Sequence, residues 1–173
     1  FQFTPIEIRL RNYIKGQTLP PLKTALRTIE KLAINEALDW DESLKYESLW
    51  SYLKQRQKEG QNQFVLIFDQ FEEFFSYPLV QQEAFIQQIA ELLYTNIPFA
   101  IRNRLDGLPS DQIQQLIQPL KVKVLFAIRG DRMSQLHGMK DVIPAILHKR
   151  YELKPLNQEQ AEKAIIKPAL KEQ

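Results

Sequence analysis

A run of five apolar residues, Phe64 to Phe68, is followed directly by Asp69. The run does not alternate between apolar and polar residues, so a strand formed here must be covered on both faces. Strands of this kind are typical of parallel sheets, in which helices connect one strand to the next. A second run, Val122 to Ile128, is apolar except for Lys123 and is followed by Arg129. The two runs therefore predict adjacent strands of a parallel sheet.

Segments with helical periodicity lie between the predicted strands. A first strand is predicted over Phe3 to Leu10 and a short last one over 150–153. Helices are predicted over 21–38, after Ser43, over 81–94, after Ser110 and from Asn157. This alternation predicts an α/β fold with a mostly parallel sheet. Right-handed crossovers would place helices on both faces of that sheet.

Composition limits the class of protein. The chain has 173 residues, enough for one domain with one core, and its net charge is only +2. So small a charge gives no indication of nucleic-acid binding. There is no cysteine, so disulfides and thiolate metal sites are excluded, and a reducing cytoplasm is compatible. No apolar run approaches the ~20 residues needed to span a bilayer. The chain starts without Met and stops inside a predicted helix, so we expect part of a longer protein.

Two polar clusters follow the two apolar runs, at the edge of the sheet where ligands bind in open α/β folds. Asp69 is the type of residue that holds Mg²⁺ through water next to nucleotide phosphates. Glu72 and Glu73 follow it by three and four residues, so a helical turn would place both near it, where a carboxylate can orient or deprotonate a water. Arg129 could contact a terminal phosphate.

Simpler interpretations of these residues stay open. Acidic residues are common after an apolar strand because helix N-termini favour carboxylates. Arg129 could also pair with Asp131 or Glu72 on the surface. His137 and His148 are eleven residues apart and lack an acidic partner at ligand spacing, so they do not indicate a metal site.

Four segments together resemble the STAND class of P-loop ATPases. Residues 64–75, with the sequence Asp-Gln-Phe-Glu-Glu after the strand, resemble the Walker B segment of a bacterial group of that class. Residues 124–131 resemble its next strand, which ends in a sensor arginine. Residues 150–156 resemble the following strand, and 160–169 resemble the helix that opens its next subdomain. The resemblance implies the three-layer α/β sandwich of P-loop NTPases, with a core fragment over 1–156 and the start of a helical subdomain over 157–173.

The phosphate-binding loop of this class, GxxxxGK[ST], is absent from the sequence. None of the five glycines stands before a Lys-Ser or Lys-Thr pair. That loop supplies the backbone N–H groups and the lysine that hold the phosphates. We expect it upstream of Phe1, unless it is degenerate. Gly130 stands where similar sequences often carry an acidic residue.

The resemblance implies an ATP/ADP-operated switch in a multidomain signalling ATPase. Asp69 would hold Mg²⁺, Glu72 or Glu73 would position the water, with Glu72 preferred, and Arg129 would sense the γ-phosphate. Such proteins form homo-oligomers, carry effector and sensor domains in the same chain and often serve bacterial defence. We expect a cytoplasmic protein whose fragment is inactive alone.

Two other functions are kept as alternatives. One is a scaffold or oligomerisation module that keeps the fold without hydrolysis. The other is an unrelated α/β enzyme with a metal bound by Asp69, Glu72 and Glu73.

Overall fold

The computed structural model describes residues 3–31, 48–58 and 63–169. The strands are β1 (Thr4–Arg9), β2 (Gln63–Asp69) and β3 (Lys121–Phe126). The α-helices are α1 (Pro21–Lys31), α2 (Leu49–Lys58), α3 (Leu79–Tyr94), α4 (Phe99–Arg102), α5 (Ser110–Ile117) and α6 (Gln158–Ala169). Three 3-10 helices span Phe71–Ser76, Gly130–Met139 and Pro144–Leu147 in the described part of the chain.

The three strands form one parallel sheet in the order β1-β2-β3. The register pairs Ile8 with Phe68 and Phe68 with Phe126, so the even-numbered residues of the three strands lie on one face of the sheet and the odd-numbered residues on the other. The predicted α/β class with a parallel sheet is therefore confirmed. Residues 32–38 of the first predicted helix, and Ser43, lie outside the described residues.

One face of the sheet carries the hydrophobic core. Its buried side chains pack in one cluster with those of α1, α2 and α3; the sheet contributes Ile6, Ile8, Phe64, Leu66 and Phe68. Aromatic rings continue this cluster beyond the strand ends, with Phe71 stacked on Phe74 at 4.8 Å between ring centroids. The core thus extends under the residues that follow β2.

The opposite face of the sheet is much more open among the described residues. Glu7 and Arg9 on β1 and Lys121 and Lys123 on β3 are exposed there, and Leu125, the next residue of β3 on this face, is 53% exposed. The described helices α1 to α3 join the core on the other face, so the second helical layer expected of the sandwich is not completed by the described residues.

The strand predicted over 150–153 is not formed, and that prediction is wrong. Residues 150–157 have no regular structure, and Tyr151 and Leu153 are 87% and 85% exposed. A strand exists only where a neighbour accepts and donates its ladder hydrogen bonds. No described segment lies beside 150–153 to do so, although the sequence has suitable alternation.

Candidate functional site

The carboxyl ends of the three strands meet at one edge of the sheet. The register places Arg9 of β1 beside Asp69 of β2. Pairing between β2 and β3 continues past the strand ends, because the Ala127 N–H donates to the Phe68 carbonyl and the Phe71 N–H donates to the Ala127 carbonyl, each at 2.9 Å. This fixes the segment after Asp69 against the segment that leads to Arg129.

Asp69 is held by two neighbours. Its Oδ2 accepts hydrogen bonds from Arg9 Nε at 3.1 Å and from Arg9 Nη2 at 2.7 Å. Its Oδ1 accepts the N–H of Gln70 at 3.0 Å. The Asp69 side chain is 33% exposed. The carboxylate therefore stands at the sheet edge, fixed in orientation and still open to solvent.

A left-handed residue turns the chain out of β2. Gln70 has φ 54° and ψ 45°, a conformation that residues other than glycine adopt at a cost. The 3-10 helix Phe71–Ser76 begins directly after it, and its buried rings Phe71 and Phe74 anchor it to the core. A helical turn after Asp69, on which the sequence argument depended, is thus present.

The helical turn sends the two glutamates to different neighbours. Glu72 Oε2 accepts the main-chain N–H of Arg129 at 3.4 Å, so it faces the end of β3. The Glu73 carbonyl accepts the Ser76 hydroxyl at 2.6 Å, and Ser76 Oγ in turn accepts the Tyr13 N–H at 2.9 Å. Burial, with a smaller contribution from the Glu73 charge, raises the pKa of Tyr77. Glu73 therefore lies on the side of the loop after β1.

The guanidinium of Arg129 pairs with Asp131, two residues further along the chain. Nε and Nη2 each lie 3.1 Å from an oxygen of Asp131, in a fork that matches the carboxylate. Arg132 Nε lies 3.8 Å from Asp131 Oδ2. The surface pairing with Asp131 that the sequence left open is the one observed. Because Arg129 and Asp131 are mostly exposed, this pair is weak and opens at little cost.

Sequence reasoning missed Arg9. Its side chain belongs to the candidate site because it contacts Asp69 through two nitrogen atoms. The signal was available, since Arg9 stands at the end of a predicted strand, as do Asp69 and Arg129. The pairing of β1 with β2, which places Arg9 beside Asp69, is decided by the tertiary structure and not by local sequence.

The donor set fits one kind of metal ion. Among the described residues, no three His, Asp or Glu side chains come together as a metal site, so Asp69, Glu72 and Glu73 do not form one. A single carboxylate that acts through water is what Mg²⁺ uses when phosphates supply the other ligands. The site therefore fits a nucleotide-bound Mg²⁺ better than a metal bound by protein alone.

Among the described residues, no helix has the length and apolarity to cross a membrane.

Comparison with known proteins gives one match. No curated protein and no solved structure matches this chain. The family model described as Novel STAND NTPase 1 matches residues 11–173. That range includes β2, β3 and the candidate site residues Asp69, Glu72, Glu73 and Arg129, while Arg9 lies just outside it. Together with the parallel sheet and its polar carboxyl edge, this match shows that the chain belongs to the family of novel STAND NTPases.

Proposed function

We propose that this chain is the Walker B and sensor part of an ATP/ADP-operated switch in a signal-transduction ATPase. The observation that carries the proposal is the placement of Asp69 at the carboxyl edge of a parallel sheet, with Glu72 bridging to the neighbouring strand end. In open α/β folds, nucleotides bind beyond this edge. Membership of an NTPase family supports the same assignment.

We assign the binding of Mg²⁺ to Asp69. A Mg²⁺ ion, when bound with the nucleotide, would offset the charge of the terminal phosphates. Asp69 would hold a water of that ion, and among the described residues its Oδ1 accepts one hydrogen bond, from the Gln70 N–H. The main-chain donor fixes the carboxylate plane, so the side chain needs little reorganisation when the ion arrives.

Glu72 is the stronger candidate to position the attacking water, and Glu73 is the weaker one. Glu72 lies between the end of β2 and the main chain of Arg129, on the side where a phosphate reaching Arg129 would be. Glu73 instead lies close enough to Tyr77 for its charge to help raise the pKa of the Tyr77 hydroxyl. A carboxylate must be within hydrogen-bond reach of the water that it orients, and this geometry favours Glu72.

Arg129 is assigned to the γ-phosphate. Its exposed pair with Asp131 holds the guanidinium at the sheet edge without burying it. Moving from Asp131 to a phosphate exchanges one anionic partner for a more highly charged one. The loss of that phosphate on hydrolysis would return Arg129 to Asp131, and a change in the position of this segment could carry the signal.

The proposal requires a phosphate cradle from outside these 173 residues. No GxxxxGK[ST] loop occurs among them. The outer edge of β3 has no strand paired to it in the described part of the chain. Its free backbone groups would accept a further parallel strand, and a phosphate-binding loop at the end of that strand would lie next to Arg129 and Asp69.

The test uses the full-length gene product. Asp69→Asn should abolish Mg²⁺-dependent ATP turnover. Glu72→Gln should lower turnover by about a hundredfold or more, as expected for loss of a general base. Glu73→Gln, the matched control, should lower it much less. Turnover that is unchanged in Asp69→Asn would show that the site is wrongly assigned.

A second candidate is a module that keeps the fold and binds or assembles without hydrolysis. Such a module needs no phosphate-binding loop, and these 173 residues contain none. Sequencing the DNA upstream of the codon for Phe1 separates the two, because a strand followed by GxxxxGK[ST] supports the ATPase and a stretch without it supports the scaffold.

The wider role is also a proposal. We infer that the switch acts in the cytoplasm, in a homo-oligomer formed through the NTPase core, with effector and sensor domains in the same chain and a function in bacterial defence or conflict signalling. The near-neutral net charge of +2 gives no sign of nucleic-acid binding. Size-exclusion chromatography with ATP and with ADP tests the assembly.

A further inference from the structure

We propose that Arg9 is a displaceable counter-ion of Asp69, and that it sets the Mg²⁺ concentration at which the site loads. This rests on the proposed function, because it takes Asp69 as the residue that holds Mg²⁺. The observation that carries it is the double hydrogen bond from Arg9 Nε and Nη2 to one oxygen of Asp69.

The acceptor positions of Asp69 explain why Arg9 and the ion compete. A carboxylate offers about four positions for hydrogen bonds. Arg9 fills the two on Oδ2, and the Gln70 N–H fills one on Oδ1. A water bound to Mg²⁺ can therefore use one remaining position while Arg9 stays. A second water, or direct contact with the ion, requires Arg9 to leave.

Charge adds to this competition. The guanidinium is a permanent positive charge, and it lies within 2.7 Å of the carboxylate that would attract the ion. It therefore offsets the charge of Asp69 before Mg²⁺ arrives. The pair is weak enough to open, because the Arg9 side chain is 60% exposed and solvent screens the interaction.

Arg9 also has a second partner that can keep it after displacement. Its Nη2 lies 3.5 Å from Glu7 Oε1, on the same exposed face of β1. A guanidinium that leaves Asp69 can thus shift toward Glu7 by side-chain rotation alone. Asp69 would then be free for the ion, and no strand or helix would need to move.

The test measures binding and not turnover. In the full-length gene product, the affinity for a fluorescent ADP analogue is titrated in EDTA and then against free Mg²⁺. Arg9→Gln should lower the half-saturating Mg²⁺ concentration by about two- to fivefold, the range expected when an exposed ion pair is removed. Arg9→Lys keeps the charge and loses the fork, so it should shift this concentration by less.

Arg11→Gln is the matched control. It removes the same charge two residues further on, and Arg11 is exposed. An unchanged or raised half-saturating Mg²⁺ concentration in Arg9→Gln, or an equal decrease in Arg11→Gln, would overturn the proposal.

Asp69→Asn separates this inference from the proposed function. If Mg²⁺ still raises ADP affinity in Asp69→Asn as in the unmodified protein, the metal assignment fails; if that effect is lost while Arg9→Gln changes nothing, only the role of Arg9 fails.

Discussion

At the scale of single residues, the candidate site depends on one backbone conformation. Gln70 takes positive φ between Asp69 and the 3-10 helix Phe71–Ser76. Its N–H caps Asp69, and the turn brings Glu72 to the Arg129 main chain. Strained residues cluster at functional sites when the surrounding structure holds them in place. Here the buried rings of Phe71 and Phe74 do so.

Gln70→Gly and Gln70→Val should differ in stability because of this conformation. Glycine adopts positive φ freely, which should stabilise the folded state, but it also makes the unfolded chain more flexible, which should destabilise the fold. Because the two effects oppose each other, the free energy of unfolding should change by less than about 1 kcal/mol. Valine is β-branched and should cost about 1–2 kcal/mol. Urea unfolding of the two variants measures the difference, and equal stability would argue against a left-handed Gln70.

Lys54 is a buried charge on α2, far from the candidate site in sequence. Its Nζ donates to Gln57 Oε1 at 2.7 Å and to the Gln118 carbonyl, and lies 5.8 Å from the centroid of the Trp50 ring. Burial lowers the pKa of Lys54 from 10.5 to about 8. The hydrogen bond to Gln118 connects α2 to the segment that leads into β3.

The lowered pKa of Lys54 predicts a rise in stability with pH. Between about pH 8 and 10.5 the unfolded chain holds the Lys54 proton and the folded chain loses it, so the contribution of this group to the free energy of unfolding increases across that window. Lys54→Met should flatten the rise, measured by urea unfolding at several pH values. Lys23→Met, at an exposed lysine of α1, is the control, and the same slope in Lys54→Met as in the unmodified chain would contradict the prediction.

At the scale of elements, α6 shows how far local sequence can specify a helix. The Asn157 side chain accepts the Gln160 N–H at 2.8 Å, and the Gln160 side chain accepts the Asn157 N–H at 3.1 Å. This is the reciprocal capping box that the spacing predicts. The side chains at 158–160 and 162–166 are exposed, so local interactions must supply most of the stability of this helix.

Asn157→Ala should therefore loosen α6 without affecting the core. Loss of the cap costs about 1 kcal/mol of helix stability, and amide exchange at 161–166 should become about fivefold faster. Asn157→Asp retains a capping oxygen and should exchange as the unmodified chain does. Hydrogen exchange followed by NMR measures both variants. Unchanged exchange in Asn157→Ala would mean that contacts beyond the cap hold the helix.

At the scale of the whole molecule, the sheet is buried on one face and largely open on the other. Leu66 is fully buried on the covered face, whereas Leu125 on the neighbouring strand points to the open face and is 53% exposed. The apolar run that predicts β2 implies cover on both faces. The described residues supply this cover on one face, and helices from outside them would supply it on the other.

A pair of alanine variants tests this asymmetry. Leu66→Ala should lower the free energy of unfolding by about 2–5 kcal/mol, through lost burial and the cavity left behind. Leu125→Ala, the matched control on the open face, should cost less than about 0.5 kcal/mol in this chain. Thermal or urea unfolding of the 173-residue chain gives both values. A large loss in Leu125→Ala would show that the open face is covered after all.

Local interactions made several features predictable from the sequence. Apolar runs and helical periodicity depend on neighbours in the chain, so β2, β3, α3 and the capped start of α6 follow from it, as do the α/β class and the family. The presence of Asp69 and Arg129 at strand ends follows as well. The roles of Asp69, Glu72, Glu73 and Arg129, and the division into 1–156 and 157–173, remain predictions.

Only the tertiary structure decided which distant groups meet. Strand pairing brings Arg9 to Asp69 across 60 residues, and the left-handed Gln70 turns the chain so that Glu72 reaches the main chain of Arg129. The same dependence explains the missing strand at 150–153, since its pattern suits a strand but no described segment lies beside it to complete the ladder. Periodicity specifies what a segment can form, whereas hydrogen-bond partners and burial, which come from elsewhere in the fold, decide what it does form.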